Sequence, residues 1–309
     1  KTCIVMATYR GAGHVGEQIE SLFRQSVLPD SLVVRDDCSD DGTVIELERL
    51  KVLSPFPFKI LRGDKNIGFK ANFSEALKGA RADVYFFSDQ DDVWFPEKVE
   101  RHLKLYRSFP QTLAVISNQE IVGPMLERSG RTSLDEIRKI RGDDRAFVHG
   151  CCTSFSHQLY TIACAPQEGV GHDDWVHILA DACAKRRIIE EPLQLFRRHS
   201  QTTTSSTFNN FESPSKTKRT ADKVQVAANL RRRATIFQSA AQALEITAGL
   251  PAEIKKVGVD NSRRNADYAI KRAKNLEKGL RGAFPIISEV LFGHQTTRTG
   301  LADIYRIVS

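Results

Sequence analysis

Within the first 117 residues, short apolar runs alternate with stretches of helical spacing, and no other feature limits the folds open to this chain as strongly. Strands are expected at 3–7, 32–34, 58–61, 84–87 and 113–117, with helices at 17–25, 44–53, 72–80 and 97–109 between them. That order builds parallel strands joined by crossover helices. Open sheets of this kind bind ligands beyond the carboxyl ends of their strands, where the loops converge. Two acid-rich segments fall just past such ends, one holding Asp36, Asp37, Asp40 and Asp41 and the other Asp89, Asp91 and Asp92.

Further along the pattern weakens. Residues 123–145 are polar, with Arg128, Arg131, Arg138, Lys139, Arg141 and Arg145 among acids, and are expected to form a mobile excursion over the site. Structure resumes at 147–150, with a helix at 175–187 and a strand at 194–197, before a Ser/Thr/Asn-rich linker at 200–215. Helical spacing returns at 221–247, 262–278 and 285–291. The division expected is an α/β domain over 1–204 and a basic helical extension over 205–309. The extension carries 18 Lys and Arg against nine Asp and Glu, whereas residues 1–204 carry 27 against 29.

A positive surface of this kind suits nucleic acid, anionic lipid or an acidic acceptor alike. Nucleic acid is the poorest fit, because Phe208, Phe211, Phe237, Tyr268, Phe284 and Phe292 lie too far apart to interleave with the basic residues as stacking platforms. Six cysteines without a Cys-x-x-Cys pair suit a reducing cytosol. No run of about 18 apolar residues occurs, and the chain opens on a strand-like segment rather than a signal peptide, so no membrane span is expected.

The segment Ser88-Asp89-Gln90-Asp91-Asp92 leaves a buried strand with three carboxylates in four residues, whose repulsion calls for a cation. Mg²⁺ and Mn²⁺ take oxygen ligands and combine a few carboxylates with substrate phosphates, which suits a nucleoside diphosphate. The plainer alternative is an acidic turn capping the helix near Pro96. Asp36 and Asp37 could grip a ribose or a base edge, with capping by Ser39, Asp40 or Asp41 as their plain alternative. Gly11-Ala12-Gly13-His14-Val15-Gly16 matches a dinucleotide fingerprint, although Thr8-Tyr9-Arg10 separate it from the strand where the tight turn belongs.

Read in order, Met6-Ala7-Thr8-Tyr9, Glu17-Gln18, Ser21, Gln25, the run from Asp36 to Thr43, Asn66-Ile67-Gly68, Asn72-Phe73 and Ser88 to Trp94 resemble a family 2 glycosyltransferase of the GT-A fold, especially its bacterial rhamnosyltransferase-like branch. Gly150-Cys151, His172-Asp173-Asp174-Trp175 and Glu191-Pro192-Leu193 with Phe196-Arg197-Arg198-His199 extend the resemblance over about residues 2–204. It departs at Arg10, where Asn is usual, and at Phe196 to Ser200, where Tyr-Arg-Gln-His-Gly is more familiar.

The resemblance implies a Rossmann-like, mostly parallel sheet flanked by helices, with a C-terminal helical extension. It implies that Thr8, Tyr9, Asp36 or Asp37, Asn66, Gly68 and Asp89 meet the donor nucleotide. Asp91, with Asp89 and His199 beside it, would hold Mn²⁺ or Mg²⁺ on the diphosphate. Asp173 is the implied base, with Asp174 its adjacent rival and helix capping its structural alternative; Trp175 suits either an acceptor wall or the core. The implied activity is inverting transfer from dTDP-rhamnose or a UDP-hexose to a glycan or lipid-linked glycan acceptor in bacterial surface polysaccharide synthesis. The rival readings are a sugar-nucleotide pyrophosphorylase, an NAD-dependent dehydrogenase and a silent binding module. The basic extension suggests a cytoplasmic protein touching the anionic inner face of the membrane.

Overall fold

A computed structural model describes residues 1–141, 144, 147–198 and 223–278. Strands β1 (Thr2–Thr8), β2 (Ser31–Asp36), β3 (Phe58–Arg62) and β4 (Val84–Ser88) pair in parallel in the order β3-β2-β1-β4. Helices α1 (Val15–Phe23), α2 (Thr43–Leu53) and α3 (Phe69–Lys78) carry the chain between them. Parallel strands lie inside a layered fold, so their apolar runs are unbroken: Cys3, Ile4, Val5 and Met6 in β1 and Tyr85, Phe86 and Phe87 in β4 are all at most 1% exposed. On α1, Val15, Ile19 and Leu22 share one helical face and close on that core.

Beyond β4 the sheet becomes mixed. The two-residue β5 (Val93–Trp94) follows, then α4 (Lys98–Ser108), β6 (Ala114–Val122), β7 (Arg128–Thr132), α5 (Ser133–Arg141), β8 (Thr153–Ser156), α6 (Tyr160–Ala163), α7 (His172–Ala182) and β9 (Arg186–Arg197). β8 is antiparallel to both β4 and β6, β9 runs parallel to β6, and β5 pairs antiparallel with β9, so the sheet path ends β4-β8-β6-β9-β5. Four residues separate β4 from β5, a reach of about 18 Å at full extension. Four strand spacings in a flat sheet come to about 19 Å. The sheet therefore curls, bringing its last strand back over the end of β4.

The excursion expected at 123–145 contains ordered elements instead. β7 folds back on β6, and α5 follows it with Leu134 and Ile137 buried against Ile116, Phe147 and Phe196. Three of the arginines that suggested a mobile loop are paired: Arg128 with Glu120, Arg131 with Glu136, and Arg138 with Asp144 and Glu190. The helix expected at 175–187 begins earlier and ends at Ala182, with Ala184 in a left-handed φ of 53° turning the chain into β9. The expected linker at 200–215 and the helix at 285–291 lie outside the described residues.

Contacts divide the chain into two compact units. The strands belong to the first. In the second, α8 (Lys223–Ile246) and α9 (Ala252–Glu277) pack through small residues, Ala227 and Leu230 against Ala273 and Leu276, and Ala234 against Ala266 and Ala269. Arg231 pairs with Glu277 and Arg263 with Glu245, so part of the formal positive charge is matched within the hairpin. No helix among the described residues is long and apolar enough to cross a membrane.

Candidate active site

The carboxyl ends of β1 and β2 are locked together by their own side chains. Asp36 accepts from Thr8 Oγ1 at 2.9 Å and from the N–H and hydroxyl of Ser39 at 2.8 and 2.6 Å. Asp37 accepts from the N–H groups of Ile67 at 3.0 Å and Gly68 at 2.8 Å, and Asn66 Oδ1 also takes the Gly68 N–H at 3.0 Å. Both acids are 1% exposed. In this structure they shape the rim at Thr8 and at 66–68, while Asn66 and Gly68 stand exposed on it.

Arg10 has a left-handed φ of 49°. Asn tolerates that conformation better than Arg, which accounts for the usual Asn at this place in the resembling sequences. Here the arginine is held by two 2.8 Å bonds to Asp40 and by its N–H on Ser39 Oγ at 2.9 Å. The next N–H groups are engaged as well, Gly11 with Thr43 Oγ1 at 2.8 Å and Ala12 with Asp41 at 3.1 Å. A dinucleotide loop needs such donors for its pyrophosphate, so the glycine fingerprint here is a braced turn. Gly42 occupies the N-cap of α2, in place of Ser39, Asp40 or Asp41.

The acid loop begins where β4 ends. Its Gln90 carboxamide accepts from Tyr9 N–H at 2.8 Å and donates to Tyr9 O at 3.0 Å. Gln18 supports the loop from beneath, donating to Asp92 O at 2.7 Å and accepting from Trp94 Nε1 at 3.1 Å. The N-cap of α4 is Glu97 and has no side-chain cap bond, so the acid loop is not a helix cap. One ligand atom from each of Asp89, Asp92 and Cys151 lies within 4.8 Å of the others. Burial, followed by the charges of Asp92, Asp91 and Asp173, raises the Asp89 carboxyl well above the carboxylate range. Burial and the charge of Asp91 bring Asp92 to about 7. Crowded carboxylates of this sort fit a divalent cation, and their hard oxygens suit Mn²⁺ or Mg²⁺.

Asp92 is fully buried and fixed by Gln194 Nε2 at 2.8 Å and by the Arg197 N–H at 3.3 Å. Lys98 is buried next to it; its ammonium donates to Cys151 O at 2.6 Å and to Gln194 Oε1 and stands 3.6 Å from the Trp94 ring centre. Burial lowers the Lys98 ammonium to about 8, against the neighbouring acid groups. Arg197 donates to Asp91 O at 2.8 Å and Pro124 O at 2.7 Å and pairs with Glu17, tying β9 to the loop from the other side.

Facing this loop is the start of α7. Gly171 takes the N-cap position, leaving Asp173 in the first turn as a half-buried carboxylate rather than the cap. Burial alone would raise Asp173, but His172, the N–H groups at the helix start and His177 outweigh it and hold the carboxyl below its ordinary value. Asp174 is exposed and shifted the other way, by burial of its carboxyl and by Asp173. Behind them His177 Nε2 meets Thr153 Oγ1 at 2.8 Å, and that hydroxyl donates to His149 O at 2.7 Å. Trp175 is 2% exposed and belongs to the core.

The first unit thus gathers Thr8, Tyr9, Asp89, Asp91 and Asp173 around one rim, with Asp36 and Asp37 bracing it. His199 lies outside the described residues. Sequence reasoning counted Asp92 among the three carboxylates that call for a cation without giving it a place of its own, and gave no role to Lys98, Gln194 or His172. Lys98 carries no signal that separates it from a surface lysine, whereas the third acid of the loop was visible as a third charge with nothing to balance it.

The fold and its acid loop have the architecture of GT-A glycosyltransferases. Solved structures that resemble it include Staphylococcus aureus TarS 1–349 in complex with UDP-GlcNAc, with a TM-score of 0.61, 16% identity, and coverage of 99% of this chain and 89% of that one. Another is the mannosyltransferase PcManGT from Pyrobaculum calidifontis in complex with GDP-Man and Mn²⁺, with a TM-score of 0.51, 16% identity, and coverage of 99% and 84%. The dTDP-rhamnosyl transferase RfbG of Shigella flexneri is 33% identical over 99 residues, 31% of this chain and 34% of that protein. An uncharacterized glycosyltransferase of Haemophilus influenzae is 27% identical over 107 residues, 35% of each chain. The chain spans about a third of the length of these two relatives. The model of the family described as Glycosyl transferase family 2 matches residues 3–161, and the chain belongs to that family.

Proposed function

We propose that the protein is a metal-dependent inverting glycosyltransferase that moves a sugar from dTDP-rhamnose or a UDP-hexose to a glycan or lipid-linked glycan in bacterial surface polysaccharide synthesis. One observation carries this reading. Asp89 lies with Asp92 and Cys151 within 4.8 Å of one another, and Asp173 Oδ2, on the first turn of α7, lies 3.4 Å from where a Cβ on the adjoining Gly150 would stand, so donor-side and base-side acids meet across Gly150 and Cys151. The relative named a dTDP-rhamnosyl transferase and the TarS complex with UDP-GlcNAc support the two donor classes.

On this reading Thr8, Tyr9, Asn66 and Gly68 seat the nucleoside within the rim that Asp36 and Asp37 brace. Asp89 and Asp91 would hold Mn²⁺ or Mg²⁺, with His199 as a further ligand, and a bound ion would supply positive charge against the negative charge growing on the departing diphosphate. Asp173 takes the proton of the acceptor hydroxyl as that oxygen attacks the anomeric carbon from the face opposite the diphosphate. Its lowered carboxyl keeps it ionised and able to accept. Residues 1–204 form the catalytic domain, and 205–309 rest against the anionic inner face of the cytoplasmic membrane. Liposome co-sedimentation that is unchanged on deletion of 205–309 would remove the membrane contact.

The test of the donor site is thermal stability with dTDP, UDP, GDP and NAD, each with and without Mn²⁺, on wild type and Asp91→Ala. A ligand at about a hundred times its Kd adds roughly 2.7 kcal/mol. Metal-dependent stabilisation by one nucleoside diphosphate, lost in Asp91→Ala, is expected; stabilisation by NAD alone overturns the reading.

A further inference from the structure

The positive charge of the second unit is not evenly available. Arg231 and Arg263 are matched by Glu277 and Glu245. Lys274 and Lys278 are exposed and make no ion pair with any described residue. They stand together on α9, beside a cavity of about 490 Å³ that is bounded, among the described residues, by Asp267, Ile270, Lys271, Lys274, Asn275 and Lys278. Spacings of three and four residues put these side chains on one face of the helix. At 3.6 residues per turn that face differs from the one holding Ala266, Ala269, Ala273 and Leu276, which pack toward α8.

Lysines near the end of a helix also suit the negative pole of its dipole, so their charge alone does not define a site. Asn275 adds a second observation. It borders the cavity at 5% exposure, and its Nδ2 has no hydrogen-bond partner. A buried donor left unpaired is destabilising, and an acceptor seated in the cavity relieves it. The three ammonium groups and the amide N–H are all donors, and Asp267 is the single carboxylate among them. Such a set calls for a ligand with several acceptor oxygens and negative charge, which is the chemistry of a phosphate group.

We propose that this face of α9 binds the phosphate headgroup of an anionic lipid. The proposal rests on the membrane contact suggested for residues 205–309 and gives it a place; it does not depend on the sugar-transfer chemistry. The headgroup oxygens accept from the Lys274 and Lys278 ammonium groups and from the Asn275 amide, with Lys271 beside them. Ile270 and the lysine stems supply apolar surface at the same place, which suits a lipid at the boundary between headgroup and acyl chain. A free, fully hydrated phosphate gains nothing from that surface. Lysines close to an anionic leaflet gain further from its surface potential.

The test uses the full chain and vesicles of phosphatidylcholine with and without phosphatidylglycerol, at about 0.15 M salt. The cavity variant is Lys274→Ala with Lys278→Ala. Its control of equal charge is Lys256→Ala with Arg264→Ala, further up α9. Lys274→Arg with Lys278→Arg keeps the charge, and Asn275→Leu removes the amide alone. Co-sedimentation gives the vesicle affinities, calorimetry with inorganic phosphate gives the free anion, and thermal unfolding confirms that each variant is folded. Expected is binding that needs phosphatidylglycerol, weaker by about thirtyfold in the cavity variant and by no more than about threefold in the control. The arginine pair should bind as wild type, and Asn275→Leu about fivefold more weakly. Equal losses in the two alanine pairs would reduce the effect to a general positive field and overturn the site, as would wild-type affinity in the cavity variant or in Asn275→Leu. Inorganic phosphate bound by wild type but not by the cavity variant, with vesicle affinity the same in both, assigns the cavity to free phosphate and overturns the lipid. Failure of wild type to bind phosphatidylglycerol vesicles overturns the membrane contact itself, and this site with it.

Discussion

Gln90 completes the hydrogen bonding of Tyr9 as a neighbouring strand would, bonding to both its N–H and its carbonyl through one carboxamide. Two neutral hydrogen bonds at a partly exposed position contribute about 1–2 kcal/mol together. Gln90→Ala is expected to lower unfolding stability by that amount in urea titrations, and to weaken nucleoside diphosphate binding more strongly, since Tyr9 then loses its fixed position. Gly11 depends on the same contact, because a Cβ there would come 2.3 Å from Gln90 Oε1. Gly11→Ala should reproduce the Gln90→Ala defect, and the double variant should be little worse than either. Additive losses would show that the two residues act separately.

Asp92 makes stability without metal depend on pH in a definite sense. Its carboxyl is raised by burial and Asp91 from the ordinary 3.8 to about 7. Across that window the folded chain keeps a proton that the unfolded chain has released, so this group lowers stability as pH rises. Buried His102, His149, His172 and His177 are shifted down and act in the opposite sense below 6.5. Wild type compared with Asp92→Asn isolates the carboxyl. From pH 5 to 8 the melting temperature of Asp92→Asn should gain on that of wild type, and parallel curves would mean that Asp92 titrates as it does unfolded.

Lys98→Met should be among the most damaging single changes. It leaves Cys151 O and Gln194 Oε1 without their shared donor and removes a buried positive charge that favours ionised Asp92. Each buried acceptor left unpaired lowers stability by about 1–3 kcal/mol. Denaturant titration of Lys98→Met, Asp92→Asn and the double variant measures the coupling directly. A double variant more stable than Lys98→Met is expected; strict additivity would place the two charges in separate networks.

Asp173→Asn and Asp174→Asn distinguish the proposed base from its neighbour. Removing a general base lowers turnover by about 10²–10⁴-fold. That loss is expected for Asp173→Asn, with the thermal shift from nucleotide and Mn²⁺ retained, and a loss under about tenfold for exposed Asp174→Asn. The reverse order, followed by nucleoside diphosphate release, would move the base to Asp174.

The first half of the fold was legible because its signals are local. Apolar runs such as Val84 to Phe87 and the helical face of Val15, Ile19 and Leu22 depend only on near neighbours, and both acid clusters fall where the strands end. The ordered structure at 123–141 was hidden, because its arginines find their carboxylates only after β7 and α5 have folded onto β6. Asp36 and Asp37 show the same limit at the site. Their position at the strand end was visible, but the N–H groups of Ile67 and Gly68 that Asp37 accepts from come into reach only in three dimensions. Lys98 was the least visible, since a lone lysine at the start of an amphipathic helix is almost always solvated.

The curl of the sheet gives the acid loop a second task. Residues 89–92 leave β4 in the middle of the sheet and enter β5 at its final edge, so the segment works as a clasp joining two distant parts of one surface. Whatever widens the clasp moves Asp89 away from Asp92 and at the same time loosens β5 from β9, where Val93 faces Leu195. The spacing of the acids and the closure of the sheet are then one mechanical variable.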